Sequence, residues 1–344
     1  MEPFNVVYYT LLDKFAHGEI KKMIVQMPPQ HGKSEGSSRK LPAFMLGLNP
    51  DTKICIGSYA ATIARDFNRD VQRIIDTPKY REIFPKTFLS GSNVVTMANT
   101  YLRNSDVIEM VGHKGSLRVV GRGGALTSKT VDVMIMDDVY KDYSEGNSPI
   151  VRNAAWKWYT TVVKKRLHNK SQELIVFTRW HEEDLIGKIE KGGEKIIDIK
   201  SWDSIKNIPD GAWVRINFEA LKTGEPNEID PREPGAALWE SMHSRAKLER
   251  ERALDPIQFQ CLDQGNPGSA EGRLYRNPFR TYVDKSEWGT FVRSGNYTDV
   301  ADEGDDFTFS ACYDVYKSSN EAWNEQKKRF EPILYALITD MVFT

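Results

Sequence analysis

The stretch Met23-Ile24-Val25-Gln26-Met27-Pro28-Pro29-Gln30-His31-Gly32-Lys33-Ser34-Glu35 is an apolar run that breaks into a proline-rich turn and closes on Gly-Lys-Ser. A short buried strand followed by such a turn, with helix-compatible sequence beyond it, reads as a phosphate cradle. Backbone N–H groups from Gln30 to Ser34 can curl around an anion at a helix N-terminus, where free donors and the helix dipole favour negative charge. Gly32 lets the backbone come close, Lys33 reaches the outer phosphates as a point charge, and the Ser34 hydroxyl suits Mg²⁺. The usual pattern begins with glycine, whereas Met27 stands there and two prolines follow. A Gly-Lys-Ser tripeptide alone is more often an ordinary helix start, so the reading needs a second motif.

That motif is Val131-Asp132-Val133-Met134-Ile135-Met136-Asp137-Asp138, about a hundred residues further on. A run of apolar residues ending in two acids describes a central strand that delivers carboxylates to its carboxyl edge, where open α/β sheets place their ligands. Asp137 is expected to hold Mg²⁺ through water and Asp138 to orient the attacking water, a task more often given to glutamate. Leu174-Ile175-Val176-Phe177 is another buried strand ending in Thr178-Arg179-Trp180. In P-loop ATPases with a strand inserted between the P-loop strand and the acidic strand, a polar residue at that tip sits beside the γ-phosphate. Thr178 has that place; Arg179 is either a second sensor or the partner of a surface carboxylate.

Around these motifs the periodicity predicts a helix over 4–15, a P-loop helix over 35–46, a strand over 53–58 and an amphipathic helix over 61–75. Short alternating runs at 107–110 and 117–120 predict a hairpin appended to the sheet. A single long helix is expected over 148–167, further strands over 195–200 and 213–218, and a solvated helix over 243–254. Arg122 and Lys129 flank a flexible Gly-rich segment whose plain reading is a solvated turn. Gln264 to Gly272 is the clearest linker. Beyond it, an acidic turn from Asp299 to Asp306 lies between two strand-like runs and is either a solvated hairpin or the first ligand group of a two-metal site, whose ions sit about 4 Å apart.

Composition bounds the reading without deciding it. The chain has 344 residues, 40% hydrophobic and 28% charged, which is globular and long enough for two domains. A formal net charge of -1 neither supports nor excludes DNA. Cys55, Cys261 and Cys312 are odd in number and lack CxxC spacing, which argues against a disulfide framework or a structural zinc site and for a reducing cytoplasm. No apolar run approaches about 20 residues, and no export signal opens the chain, so no membrane association is expected.

The ordered set Pro28 to Glu35, Met136-Asp137-Asp138, Phe177 to His181 and Asp299 to Asp306, with Phe259 to Tyr275 as the join, resembles the large terminase subunit of tailed bacteriophages. The resemblance implies an α/β fold: a P-loop ASCE-type ATPase with a mainly parallel sheet over 1–264, a linker over 265–280, and a partial RNase H-like nuclease over 281–344. It implies an ATP-hydrolysing motor that packages viral double-stranded DNA into procapsids, with ATP and Mg²⁺ as cofactors and Mg²⁺ or Mn²⁺ at the nuclease. The implied partners are DNA, the portal protein, the small terminase subunit and further copies in a ring, in the cytoplasm of the infected bacterium.

Residue by residue, Gln30, His31, Gly32, Lys33, Ser34 and Glu35 match the family's ATP-binding stretch. Lys33, Asp138 and Thr178 match its catalytic positions, Ser34 and Asp137 its Mg²⁺ positions. Asp299, with Asp302 and Asp306 as helpers, matches the first nuclease metal ligand, and Arg122 or Lys129 lies where a cation acts on the neighbouring subunit's ATP. The segment that usually grips adenine is expected to be short, and the nuclease to be truncated before its later acidic ligands. A helicase-type translocase would need a second RecA-like domain after residue 265, and the acidic hairpin sequence speaks against it. A nucleotide-binding assembly protein without turnover is the third reading.

Overall fold

The computed structural model describes residues 2–91, 101–126, 130–268, 289–299, 309–324 and 329–343. The chain divides into two compact units, Met1–Glu271 and Gly272–Thr344. In the first, β1 (Lys22–Gln26), β2 (Lys53–Ser58), β3 (Val107–Glu109), β4 (Ser116–Gly121), β5 (Val131–Asp137), β6 (Leu167–Val176), β7 (Ile196–Asp198) and β8 (Trp213–Asn217) form one sheet. Its order is β3-β4-β2-β5-β6-β1-β8-β7. Of these strands only β3 runs antiparallel to its neighbour, so the 107–120 hairpin joins the sheet through β4, which is itself parallel to β2.

These strands read as apolar runs because both their faces are covered. Met23 and Val25 pack into the core on one side and Ile24 into the core on the other. Val133 and Ile135 divide from Met134 and Met136 in the same way. Each such side chain, fully removed from water, contributes about 1.5–3 kcal/mol, so an expensive parallel sheet is stabilised from two sides. Helices Pro3–Ala16, Leu41–Leu48 and Ala61–Ile75 supply the first core, and Pro149–Trp158 with Leu185–Lys191 the second.

The order places β6 between β1 and β5, with Ile24 opposite Ile175 and Ile135 opposite Leu174. A strand inserted between the P-loop strand and the acidic strand is the arrangement of ASCE-type P-loop ATPases, and the unit has that fold. Two local expectations change. The helix after Ser148 is α-helical to Trp158, continues as a π-turn over Tyr159–Val163 and closes with a 3₁₀ turn at Lys164–Arg166, so strand begins at Leu167. β6 is therefore longer than the apolar run 174–177: its exposed first half, with His168, Asn169 and Lys170, shows no apolar pattern.

In the second unit β9 (Thr290–Asp299), β10 (Phe309–Asn324) and β11 (Arg329–Phe343) make an antiparallel sheet in the order β11-β10-β9. Asp299 ends β9 opposite Phe309. Asp302 and Asp306 lie outside the described residues, as does Lys129.

Candidate active site

The chain leaves β1 through buried Met27, turns at Gln30 and Gly32, and enters a helix at Lys33. Both turning residues have positive φ, 59° at Gln30 and 85° at Gly32. Glycine meets that demand without strain; for Gln30 the left-handed backbone costs of order 1 kcal/mol. The helix opens with a π-turn, Glu35–Lys40, before continuing as Leu41–Leu48.

At the centre of the site Lys33 is almost fully buried. Its ammonium donates to Thr178 Oγ1 at 3.0 Å and lies 3.4 Å from Asp138 Oδ1. The Ser34 hydroxyl donates to Asp137 Oδ1 at 3.0 Å, and Ser38, one helical turn on, donates to Oδ2 of the same carboxylate. Asp137 has no exposed surface. Burial, with the neighbouring charge of Asp138, pushes its carboxyl well above the usual carboxylate range, against the Ser38 and Ser34 hydroxyls and the Lys33 ammonium. Asp138 adopts the left-handed conformation, φ 45°, with its N–H donating to Val176 and its carbonyl accepting from Tyr59 at 2.8 Å. Those two bonds hold the strained residue at the tips of β6 and β2. Its Oδ1 is buried without a hydrogen-bond partner among the described residues.

Two strand tips and the P-loop thus bring Lys33, Ser34, Asp137, Asp138 and Thr178 into one cluster 145 residues wide in sequence. An ammonium, two hydroxyls and two acids arranged around a helix N-terminus can hold a polyanion and orient a water beside it. Ser34 and Asp137 are hard oxygen donors already in contact, a donor set that fits Mg²⁺.

Other expected residues are placed differently. Glu35 lies on the exposed helix face and pairs with Lys40 at 3.3 Å and Arg39 at 3.9 Å, outside the cluster. His31 is buried, donating through Nδ1 to the Pro29 carbonyl and stacking on His243 at 4.5 Å. Arg122 is not a free turn residue. Glu145 grips it with both carboxylate oxygens at 2.9 and 3.1 Å and the Val139 carbonyl takes a third bond, so the guanidinium is engaged within its own chain. Arg179 pairs with Asp184 at 2.6 Å, and that carboxylate is fully buried, not superficial.

Three supporting residues were not expected. Tyr8, from the first helix, donates its hydroxyl to the Lys33 carbonyl, and Ser37 donates to the same oxygen at 2.9 Å. Ser38 orients Asp137. The only sequence signal for them is the run Gly36-Ser37-Ser38, small residues where a helix must pass under a ring and against a carboxylate. A Cβ on Gly36 would stand 2.5 Å from Tyr8 Cε1.

A family model described as terminase large subunit, T4likevirus-type, N-terminal, matches residues 24–276. No curated protein matches the sequence at a significant level. Among solved structures the chain is similar to the large terminase of bacteriophage HK97, with 11% identity over 96% of this chain and 62% of that one, at a TM-score of 0.45. It is also similar to the large terminase ATPase domain of Thermus phage P74-26, with 17% identity over 72% of this chain and 89% of that one, at a TM-score of 0.43. A third likeness is the large terminase of a thermophilic bacteriophage in complex with ADP, with 10% identity over 89% of this chain and 64% of that one, at a TM-score of 0.37. The chain thus spans 62% of the HK97 protein's length. Since the family model covers most of the sequence, including every residue of the Lys33 cluster, the chain belongs to the large terminase subunit family of phages.

Proposed function

We propose that this chain is the ATP-hydrolysing motor part of a terminase, driving viral double-stranded DNA into procapsids. The observation that carries the reading is the convergence of Lys33, Asp138 and Thr178 at the tips of β1, β5 and β6. In this reading the P-loop N–H groups and Lys33 bind the β- and γ-phosphates. Asp138 orients a water for in-line attack and takes its proton, and the hydroxyl of Thr178 reports the γ-phosphate through Lys33. Ser34 and Asp137 are the residues that would hold Mg²⁺, whose chemistry is to neutralise charge on the phosphate oxygens.

DNA, the portal protein, the small terminase subunit and neighbouring copies in a ring are the proposed partners, in the cytoplasm of the infected host. Arg122 and Lys129 are the proposed cations acting between copies. Residues 265–280 are the proposed linker and 281–344 part of an RNase H-like nuclease, with Asp299 as its first metal ligand and Asp302 and Asp306 as helpers, on Mg²⁺ or Mn²⁺. Among the described residues no group of three or more metal-ligating side chains is assembled, and no helix is long and apolar enough to cross a membrane.

Phosphate release from ATP is the test, measured for the chain alone and with DNA and procapsids. Turnover that Lys33→Ala abolishes supports the motor. ATP binding without turnover under every condition leaves an assembly protein instead.

A further inference from the structure

We infer that His243, with Trp239 and Phe4, is a positioning residue for the phosphate cradle: their rings hold His31 and so fix the turn of the P-loop before a nucleotide arrives. The inference rests on the phosphate-cradle reading above and assigns the shape of the loop to residues far from it in sequence.

A loop that cradles phosphate must aim successive N–H groups at one point, and the usual glycines let the backbone do so. Here Pro28, Pro29 and Gln30 precede Gly32. The prolines fix their own φ and offer no N–H. Gln30 takes a φ of 59° and Gly32 a φ of 85°, so His31 stands between two left-handed residues. Gln30 is strained in that conformation, and contacts elsewhere must hold the turn.

His31 makes those contacts. Pro29, Gln30 and Gly32 are exposed, whereas His31 is only 2% exposed. Its Nδ1 donates to the Pro29 carbonyl at 2.7 Å, across the strained residue. Its ring stacks on that of His243 with centroids 4.5 Å apart and 23° between the planes. Trp239 meets it edge-on at 6.1 Å, and Phe4 lies tilted at the same distance. Phe4 and Trp239 are 5.9 Å apart, and Trp239 and His243 6.3 Å, so the four rings close on one another. Ring pairs at such separations stabilise beyond what their burial contributes.

The rings are themselves braced. The His243 N–H donates to the Trp239 carbonyl at 2.7 Å, a turn that carries both side chains, and the Lys247 ammonium donates to His243 Nδ1 at 3.2 Å. Phe4 packs edge-on against Phe218 at 6.0 Å, the residue that follows β8. Two positions past His31, Lys33 reaches Thr178 and Asp138. A shift at His31 therefore carries the cradle N–H groups with it. Without the His243 ring the loop spends part of its time in other shapes, and affinity for phosphate falls with the fraction of chains that keep the binding shape. That loss belongs to the phosphate end, so it is the same for ATP and for a ligand without a base.

Calorimetric titration of the full chain with ATP and with inorganic tripolyphosphate, each with Mg²⁺, tests the inference on wild type, His243→Ala and His243→Phe. His243→Ala is expected to weaken both ligands by the same factor, about threefold to tenfold, with the number of sites per chain unchanged. His243→Phe keeps a ring over His31 and is expected to bind both within about twofold of wild type. An alanine variant that binds both ligands as tightly as wild type, weakens ATP alone, or loses sites at unchanged affinity through partial unfolding overturns the positioning role and leaves the cradle standing. So does a phenylalanine variant as weak as the alanine one. A wild-type chain that binds neither ligand overturns the phosphate-cradle reading and the inference with it.

Discussion

The Lys33 ammonium donates to the Thr178 hydroxyl at 3.0 Å, which ties the P-loop directly to the tip of β6. In the proposed ATPase, a nucleotide that draws Lys33 toward its γ-phosphate would lengthen or share that bond, and the strand tip would sense occupancy. Thr178→Val keeps the shape and removes the acceptor. A hydrogen bond to a charged group contributes about 1.5–3 kcal/mol, so kcat is expected to fall by on the order of tenfold to a hundredfold. KM for ATP should change by less than about threefold, since Lys33 still binds phosphate. Steady-state kinetics separate the two; a rise in KM with kcat unchanged would show that Thr178 acts in uniform binding.

Gly36 lets the P-loop helix lie against Tyr8. The added methyl of Gly36→Ala meets Tyr8 Cε1 at 2.5 Å and Leu12 Cδ1 at 3.0 Å, so the ring must move and its bond to the Lys33 carbonyl is lost. Overpacking of this kind costs about 1–3 kcal/mol, more than the up to ~1 kcal/mol that alanine gains as a helix former. A lower thermal midpoint and weaker ATP binding are expected. Tyr8→Leu in the same chain should recover part of the stability; an unchanged midpoint for the single variant contradicts the packing argument.

Burial lowers His31 from its ordinary 6.5 to about 4, and His243, Arg232 and Lys247 all oppose a positive charge there. Between those two values the unfolded chain binds the extra proton and the folded chain does not. The stability this neutral ring contributes is complete above pH 6.5 and is lost as the pH falls toward 4, by roughly 3 kcal/mol at most. Asp137, whose carboxyl is raised, acts with the opposite sign over an overlapping range, so the comparison must be between chains. Denaturant unfolding at several pH values should show a smaller acid loss for His31→Phe than for wild type. Equal losses would mean that His31 is not the group responsible.

What was legible in the sequence is what local pattern controls. Met23 to Met27 and Val131 to Asp137 show themselves as buried parallel strands because both faces demand apolar side chains, and Gly32 marks a turn with φ of 85°. Thr178 was placed correctly at a strand tip because the short apolar run before it is the buried half of β6. The other half was missed, since exposed residues in a protruding strand obey no alternation. Tyr8 and Ser38 were not legible as site residues, for their roles depend on which carbonyl and which carboxylate the fold brings near. His243 stands 212 positions from His31, and nothing local announces that the two rings meet.

In the proposed mechanism Asp138 orients the attacking water while Lys33 holds the phosphate. Parallel measurement of ATP binding and single-turnover hydrolysis for Asp138→Asn tests it most directly. Affinity within about threefold of wild type and hydrolysis slower by at least about a hundredfold, the scale of a lost general base, are expected. Hydrolysis at the wild-type rate would contradict it.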